Sequence, residues 1–319
     1  MSNSDALYNA AQNGKLEKVN KLLEKGADPN KATTDGATPL FTASEYGYTK
    51  IVKALLKKKA DPNMARTDGV TPLYMASHKG YLPVVESLLK KRADPNKATT
   101  DGLTPLYIAS VYNYSPVVEA LFNHGANVDQ ATTNGSTPLY ISSHKGYLPL
   151  VEFLLKKGAD PNKARTDGQT PLFIASVFNY SPVVEALLNH GANVDQATTN
   201  GSTPLYMASM MGYLSVVESL LKKGADPNMA TTDGVTPLQA ATENNHMDIV
   251  DMLREYDRRN KTMVGITVLQ TFSNDFNAAE LPEDTYEYLG KKGRDYDGGR
   301  RRKTRKSNKS NKSKKRRRL

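Results

Sequence analysis

The apolar residues of this chain fall into two short stripes that alternate along its length. In one stretch Leu73 and Ala76 stand three residues apart, and Val84, Val85, Leu88 and Leu89 follow after a polar gap. Spacings of three and four residues place each set on one face of a helix. The first helix has its own start signal in Thr71-Pro72. The threonine hydroxyl can accept an N–H of the first turn, and proline lacks only an N–H that would be unpaired there. Gly80 stops this helix, because a left-handed residue costs glycine least. Asn113, Asn179 and Asn245 hold that place in three other copies, and asparagine tolerates it next best. For the second helix, Ser115-Pro116 and Ser181-Pro182 are read as cap and first turn, while Pro83 and Pro149 keep only the proline. Lys90 and Lys91 near its end suit the helix dipole. Ala93-Asp94-Pro95-Asn96 leaves the helix, and Asp101-Gly102 makes a tight turn. The predicted unit is helix, turn, helix and a projecting hairpin-like loop.

The unit recurs without insertion or gap. Thr-Pro-Leu begins at Thr38, Thr71, Thr104, Thr137, Thr170, Thr203 and Thr236, each 33 residues after the last. One copy cannot bury both of its helices, so neighbours must stack, and the prediction is an all-α solenoid. Residues 1–37 hold a weaker copy that serves as an N-terminal cap: Asp5-Ala6-Leu7-Tyr8 occupies the Thr-Pro-Leu place, and the second stripe is ringed by charge. Residues 38–235 supply six repeats. Residues 236–261 carry Asp248, Asp251, Arg254 and Glu255 and are expected to cap the other end. A longer period of 66 residues overlies the first, since 108–140 returns almost unchanged as 174–206. Duplication of repeat pairs accounts for it. Residues 262–290 match no repeat and form an appended segment, either a short strand or a helix. Residues 291–319, nearly free of apolar side chains, are expected to be disordered.

The quoted pattern D-G-x-T-P-L-x-x-A-x-x-x-G-x-x-x-V-V-x-x-L-L-x-x-G-A-D-x-N, nearly intact from Asp167 to Ala192, resembles the ankyrin repeat. The resemblance spans about four-fifths of the chain. It implies a non-enzymatic scaffold that holds a protein partner on the exposed face of its first helices and on its loop tips. One departure stands out. The family places histidine after Thr-Pro-Leu, whereas this chain has Phe41, Tyr74, Tyr107, Tyr140, Phe173, Tyr206 and Gln239. The family's imidazole hydrogen bonds are then missing, and aromatic packing, with a tyrosine hydroxyl finding a polar partner, is expected in their place.

Charge divides the chain. The 319 residues carry a net +10, but 291–319 alone hold 16 Lys/Arg and two Asp, leaving 27 basic and 31 acidic residues elsewhere. Two jobs for two segments follow from that asymmetry. The absence of cysteine rules out disulfides and thiolate metal sites and fits a reducing compartment. The N-terminus has no apolar signal core, and no apolar run approaches the ~20 residues that span a bilayer. A soluble, monomeric, intracellular protein of nucleus or cytoplasm is expected, without membrane contact. No phosphate-binding glycine loop, H-E-x-x-H or cysteine nucleophile is present. Asp61-x-Asn63 lacks the rest of a calcium loop. His78 and His144, like His124 and His190, are the same repeat position 66 residues apart, hence roughly 20 Å apart in a stack, too far to share a metal. Neither metal nor cofactor is expected.

Candidate binding residues lie where the copies differ. The two positions before the helix-ending Gly or Asn vary most, and they place Tyr46, His78, Lys79, Tyr112, His144, Lys145, Phe178, Met210 and Met211 on the first-helix face. Arg66 and Arg165 join them at the tips. Aromatic and methionine side chains on an exposed groove favour a protein partner, the alternative being drift at unconstrained surface positions. In the tail, Arg300, Arg301, Arg302, Lys303, Arg305 and Lys306 form one cluster and Lys314, Lys315, Arg316, Arg317 and Arg318 another. Such runs serve a nuclear import receptor, a nucleic acid or other polyanion, or solubility alone. No aromatic residue follows Tyr296, which disfavours base stacking. The run from Gly298 to Lys306 is similar to basic C-termini of ankyrin-rich large DNA viruses. Leu281-Pro282-Glu283 resembles the start of an F-box, which would make the protein a ubiquitin-ligase substrate adaptor. The pattern breaks at Asp284 and Thr285, and a linker helix is the favoured reading.

Overall fold

A computed structural model describes residues 2–260, and among these every regular element is a helix. The first helices of successive repeats are α1 (Asn3–Gln12), α3 (Pro39–Glu45), α5 (Pro72–His78), α7 (Pro105–Val111), α9 (Pro138–His144), α11 (Pro171–Val177), α13 (Pro204–Met211) and α15 (Pro237–Glu243). The second helices are α2 (Leu16–Glu24), α4 (Thr49–Lys57), α6 (Leu82–Leu89), α8 (Ser115–Asn123), α10 (Leu148–Lys156), α12 (Ser181–Asn189) and α14 (Leu214–Lys222), with α16 over residues 247–260. Within the compact unit Met1–Tyr256 the first helices α1 to α13 each pack on their own second helix, and successive first helices from α1 to α15 pack on one another. The second helices also pack in order, α2 to α8 and α10 to α14, and the Phe122 and Phe153 rings meet at 6.2 Å between α8 and α10.

The start signals work as expected at the first helices. Thr71 is extended (ψ 162°) and its Oγ1 accepts the N–H of Tyr74 at 3.0 Å, with Pro72 in the first turn. The same bond forms at Thr38, Thr104, Thr137, Thr170, Thr203 and Thr236. Gly80 is left-handed (φ 73°), as are Asn113, Asn179 and Asn245 (φ 57°, 57° and 59°). At the second helices the expectation needs correcting. Ser115 and Ser181 are the first helical residues rather than caps, and Tyr114 and Tyr180 precede them with no side-chain cap bond. A turn of one left-handed residue and one tyrosine leaves no room for a capping serine. The Ser181 hydroxyl instead lies 2.7 Å from that of Ser215 in the next repeat.

The first repeat starts differently again. Its helix begins a turn early, where Ser2 and Asp5 make a reciprocal capping box: Asp5 N–H donates to Ser2 Oγ (3.1 Å), and Ser2 N–H donates to the Asp5 carboxylate (3.0 Å). These bonds from Ser2 hold the Asp5 carboxyl below its ordinary pKa.

Two leucine columns fill the interior. Leu40, Leu73, Leu106, Leu139, Leu172 and Leu205 line the first-helix row, and Leu55, Leu88, Leu121, Leu154, Leu187 and Leu220 the second, all buried. Two polar seams join neighbouring repeats. At the tips, backbone N–H of Thr67, Thr100, Thr133, Thr166, Thr199 and Thr232 donates to the carbonyl 32 residues earlier, at about 3.0–3.1 Å. Gly69 is needed there, since a Cβ would lie 2.9 Å from Thr99 Cα. Near the ends of the second helices, Asn30, Asn63, Asn96 and Asn162 accept an N–H from the next repeat at 2.8, 2.7, 2.7 and 2.6 Å. Their amides also donate onward, to the carbonyls of Lys59, Arg92, Gly125 and Gly191. Asp129 and Asp195 hold the same place and accept from Asp160 and Asp226, but a carboxylate has no amide with which to donate.

Candidate first-helix binding face

The residue after Thr-Pro-Leu is part of the packing. Phe41, Tyr74, Tyr140 and Phe173 are buried, and two of the tyrosine hydroxyls at this position reach forward one repeat. Tyr107 Oη donates to Ser136 Oγ (3.3 Å) and Tyr140 Oη to Gln169 Oε1 (2.7 Å). Burial pushes the Tyr74 hydroxyl up to about 12. Aromatic packing thus stands where the family has imidazole. Gln239 departs from this and closes a capping box with Thr236 instead.

The variable pairs lie at the C-terminal ends of these helices. The structure joins several of them across repeats. His78 lies 6.5 Å from the Tyr74 ring and 5.0 Å from the Tyr112 ring, with its Nε2 3.1 Å from Tyr112 Oη. Tyr112 stacks in turn on Tyr114 at 5.9 Å. The same constellation returns 66 residues on as Tyr140, His144, Phe178 and Tyr180, with His144 and Phe178 4.9 Å apart. Phenylalanine removes the hydroxyl bond there and keeps the ring contact. Tyr46 stacks on Tyr48 at 5.9 Å. Burial first, and a neighbouring Lys79 or Lys145 second, hold His78 and His144 below the usual imidazole pKa, so both are neutral at neutral pH.

One position on this face forms a ridge. From the second repeat to the seventh, the residue just before the helix-ending Gly or Asn reads Tyr46, Lys79, Tyr112, Lys145, Phe178, Met211, and every one is exposed. Tyr46, Tyr112, Phe178 and Met211 are 43–48 % accessible, high for side chains of their size. Met210, its neighbour inside the helix, is half-buried.

Arg66 and Arg165 lie at the tips, but they are not free. Arg66 pairs with Asp68 at 3.1 Å and places its guanidinium 5.4 Å from the Phe41 ring centre. Arg165 pairs with Asp167 at 3.2 Å and lies 5.3 Å from the Tyr140 ring centre. Each arginine closes over the aromatic of the preceding repeat. His124 and His190 bond the carbonyls of Ala120 and Ala186 at 2.8 Å, one turn back. Among the described residues no three His, Cys, Asp or Glu gather as a metal site, and no helix is long and apolar enough to cross a membrane. The F-box-like stretch at 281–289 and the tail clusters 300–306 and 314–318 lie outside the described residues.

Sequence reasoning missed the tyrosine before each second helix from α4 to α14. Tyr81, Tyr114 and Tyr180 press their rings against Gly47, Gly80 and Gly146 of the preceding repeat, within about 3 Å of where a Cβ would stand. The signal was available: Tyr48, Tyr81, Tyr114, Tyr147, Tyr180 and Tyr213 recur at the 33-residue period through six successive repeats.

A family model of ankyrin repeats in three copies matches residues 7–99, 92–165, 158–231 and 196–263. Among curated proteins there is no significant match. Helix pairs stacked on an unbroken 33-residue period meet that model over most of their length, and the chain belongs to the ankyrin-repeat family.

Proposed function

We propose that the array is a non-enzymatic scaffold whose first-helix ridge holds an extended protein segment. The observation that carries this is the alternation along the ridge: Tyr46, Tyr112 and Phe178 exposed at every second repeat, with Lys79 and Lys145 between them. Equivalent residues two repeats apart stand roughly 20 Å apart. A partner suited to this spacing offers apolar side chains at that interval and acidic groups between. The rings are prepared for binding, since His78 and His144 brace Tyr112 and Phe178 from the preceding repeat. Rigid aromatic anchors of this kind give contact area at low entropic cost. The basic tail, in this reading, places the complex in the nucleus or against an acidic surface.

The test is affinity capture from lysate with full-length protein and with a Tyr46→Ser, Tyr112→Ser, Phe178→Ser variant. Proteins retained by the wild type and lost by the variant are expected. An identical set from both would sink the ridge. Fluorescent fusions with and without residues 291–319 test the tail, and an unchanged distribution would remove its targeting role.

A further inference from the structure

We infer that the second-helix face of the first three repeats is a binding surface for the phosphate backbone of duplex nucleic acid. The charge along this row is sharply graded. Segments 15–25, 49–59 and 82–92 together hold twelve Lys/Arg and three Glu, whereas the matching segments 115–125, 148–158, 181–191 and 214–224 hold four of each sign. The twelve cations are all exposed. Glu86 lies 4.0 Å from Lys90, but α4 with its end carries Lys50, Lys53, Lys57, Lys58 and Lys59 and no acidic residue at all. Like charges this dense repel one another and disfavour the folded array, unless a polyanion covers them.

Backbone conformation gives independent support. Each second helix from α2 to α14 ends on a left-handed residue. That residue is Gly26, Gly125, Gly158, Gly191 or Gly224 in five repeats, but Lys59 (φ 65°) and Arg92 (φ 63°) in two. A Cβ built at any of those five glycines would touch nothing within 4 Å, so a side chain at this place gains no packing to offset its strain. Both exceptions are cations, and both lie within the basic face. Charge is what they add.

The surface also indicates which polyanion. The exposed large apolar side chains are Tyr46, Tyr112, Phe178, Met211, Leu214 and Met247, and none falls within the three basic segments. Firm attachment to a membrane needs an apolar or lipid anchor beside the charge. Single strands need aromatic platforms. A duplex backbone needs only cations, at a spacing that three helices roughly 8–10 Å apart supply over about half a helical turn. The basic tail has the same sign and would add its own phosphate pairs, but the folded face is a separate site.

The test compares three full-length proteins on two 20-base-pair duplexes of unrelated sequence across a salt series. One is the wild type. The second is a face variant with Lys53→Gln, Lys57→Gln, Lys58→Gln, Lys59→Gly and Arg92→Gly. The third has the 300–306 and 314–318 basic residues changed to Gln. Removing one phosphate-bound cation flattens the slope of log K against log salt by about 0.9. The face variant is expected to bind at least about tenfold more weakly at low salt, with a slope lower by up to about 4.5, equally on both duplexes. A Lys53→Arg, Lys57→Arg, Lys58→Arg protein is expected to keep wild-type binding. The two glycine changes relieve strain, so melting of the face variant at or above the wild-type temperature confirms that it is folded. An unchanged slope in the face variant, with all binding lost from the tail variant, would overturn the inference. So would loss of binding to phosphatidylserine vesicles without loss on the duplexes.

Discussion

The two helix rows of this array are built from the same repeated unit, yet their exposed surfaces are organised differently. The first-helix row is periodic: aromatic and lysine alternate, and the His78–Tyr112 ring contact returns as His144–Phe178 without the hydroxyl bond. The second-helix row is graded: cations crowd repeats one to three and balance out afterwards. Periodicity in one row follows from pair duplication, which copies both rows alike, so duplication cannot have made the gradient. A periodic surface suits a ligand that runs the length of the stack, and a graded one suits a ligand at one end.

The largest expected effect strikes both rows together. Leu139 is fully buried in the first-helix column, and Leu139→Ala should cost about 2–5 kcal/mol, read from urea denaturation. A smaller loss would mean that the stack closes around the gap. Next comes a change confined to the second row. Lys59→Gly removes an exposed side chain from a left-handed position and is expected to stabilise by about 1 kcal/mol, with a melting temperature a few degrees higher. A drop in that temperature would show that the lysine stem has a packing role.

The seam between the rows gives a third effect of similar size. Asp195→Asn should restore the amide donor that Asn30, Asn63, Asn96 and Asn162 use, toward the carbonyl 29 residues on, for about 1 kcal/mol. The pH dependence has a definite sign. Burial raises the Asp195 pKa above 3.8; the N–H bond from Asp226 opposes this, and the Asp226 charge adds a smaller push upward. The native state therefore holds this proton more tightly than the unfolded chain, and wild-type stability gains as pH falls through the folded pKa toward 3.8. The advantage of the asparagine variant should narrow over that window in thermal melts.

The smallest effect belongs to the first row alone. His78 and His144 have folded pKa values below 6.5. Their stabilising contribution is complete above pH 6.5 and is lost as pH falls through 6.5 toward the folded pKa. Replacing both with Gln should flatten the loss of melting temperature between pH 7 and 5. An equally steep loss would place the titration elsewhere.

Much of the fold was legible because local signals and packing agree: Thr71, Pro72, Leu73 and Gly80 each favour the structure that the stack also requires. What escaped were relations between repeats. His78 and Tyr112 are 34 residues apart and meet only once the register of stacking is known. Asn63 looks like a turn residue until its amide is seen reaching Arg92. Ser115 resembles a cap until the turn proves too short to use it. The basic face was hidden by averaging: a mildly acidic total for residues 1–290 contains a strongly basic third of one row.

Because each repeat bonds only to the next, the length of this protein is physically adjustable. Residues 101–133 and 167–199 end in the same sequence, ANVDQATT, and residue 200 begins the repeat that follows the second of them. Excising 134–199 would join Thr133 to Asn200 and recreate a junction the chain already has, at Thr199 and Asn200. No side chain would meet an unfamiliar neighbour class. Insertion of the same 66 residues would be as seamless. The array can therefore change its reach by about 20 Å in a single genetic step without having to redesign an interface.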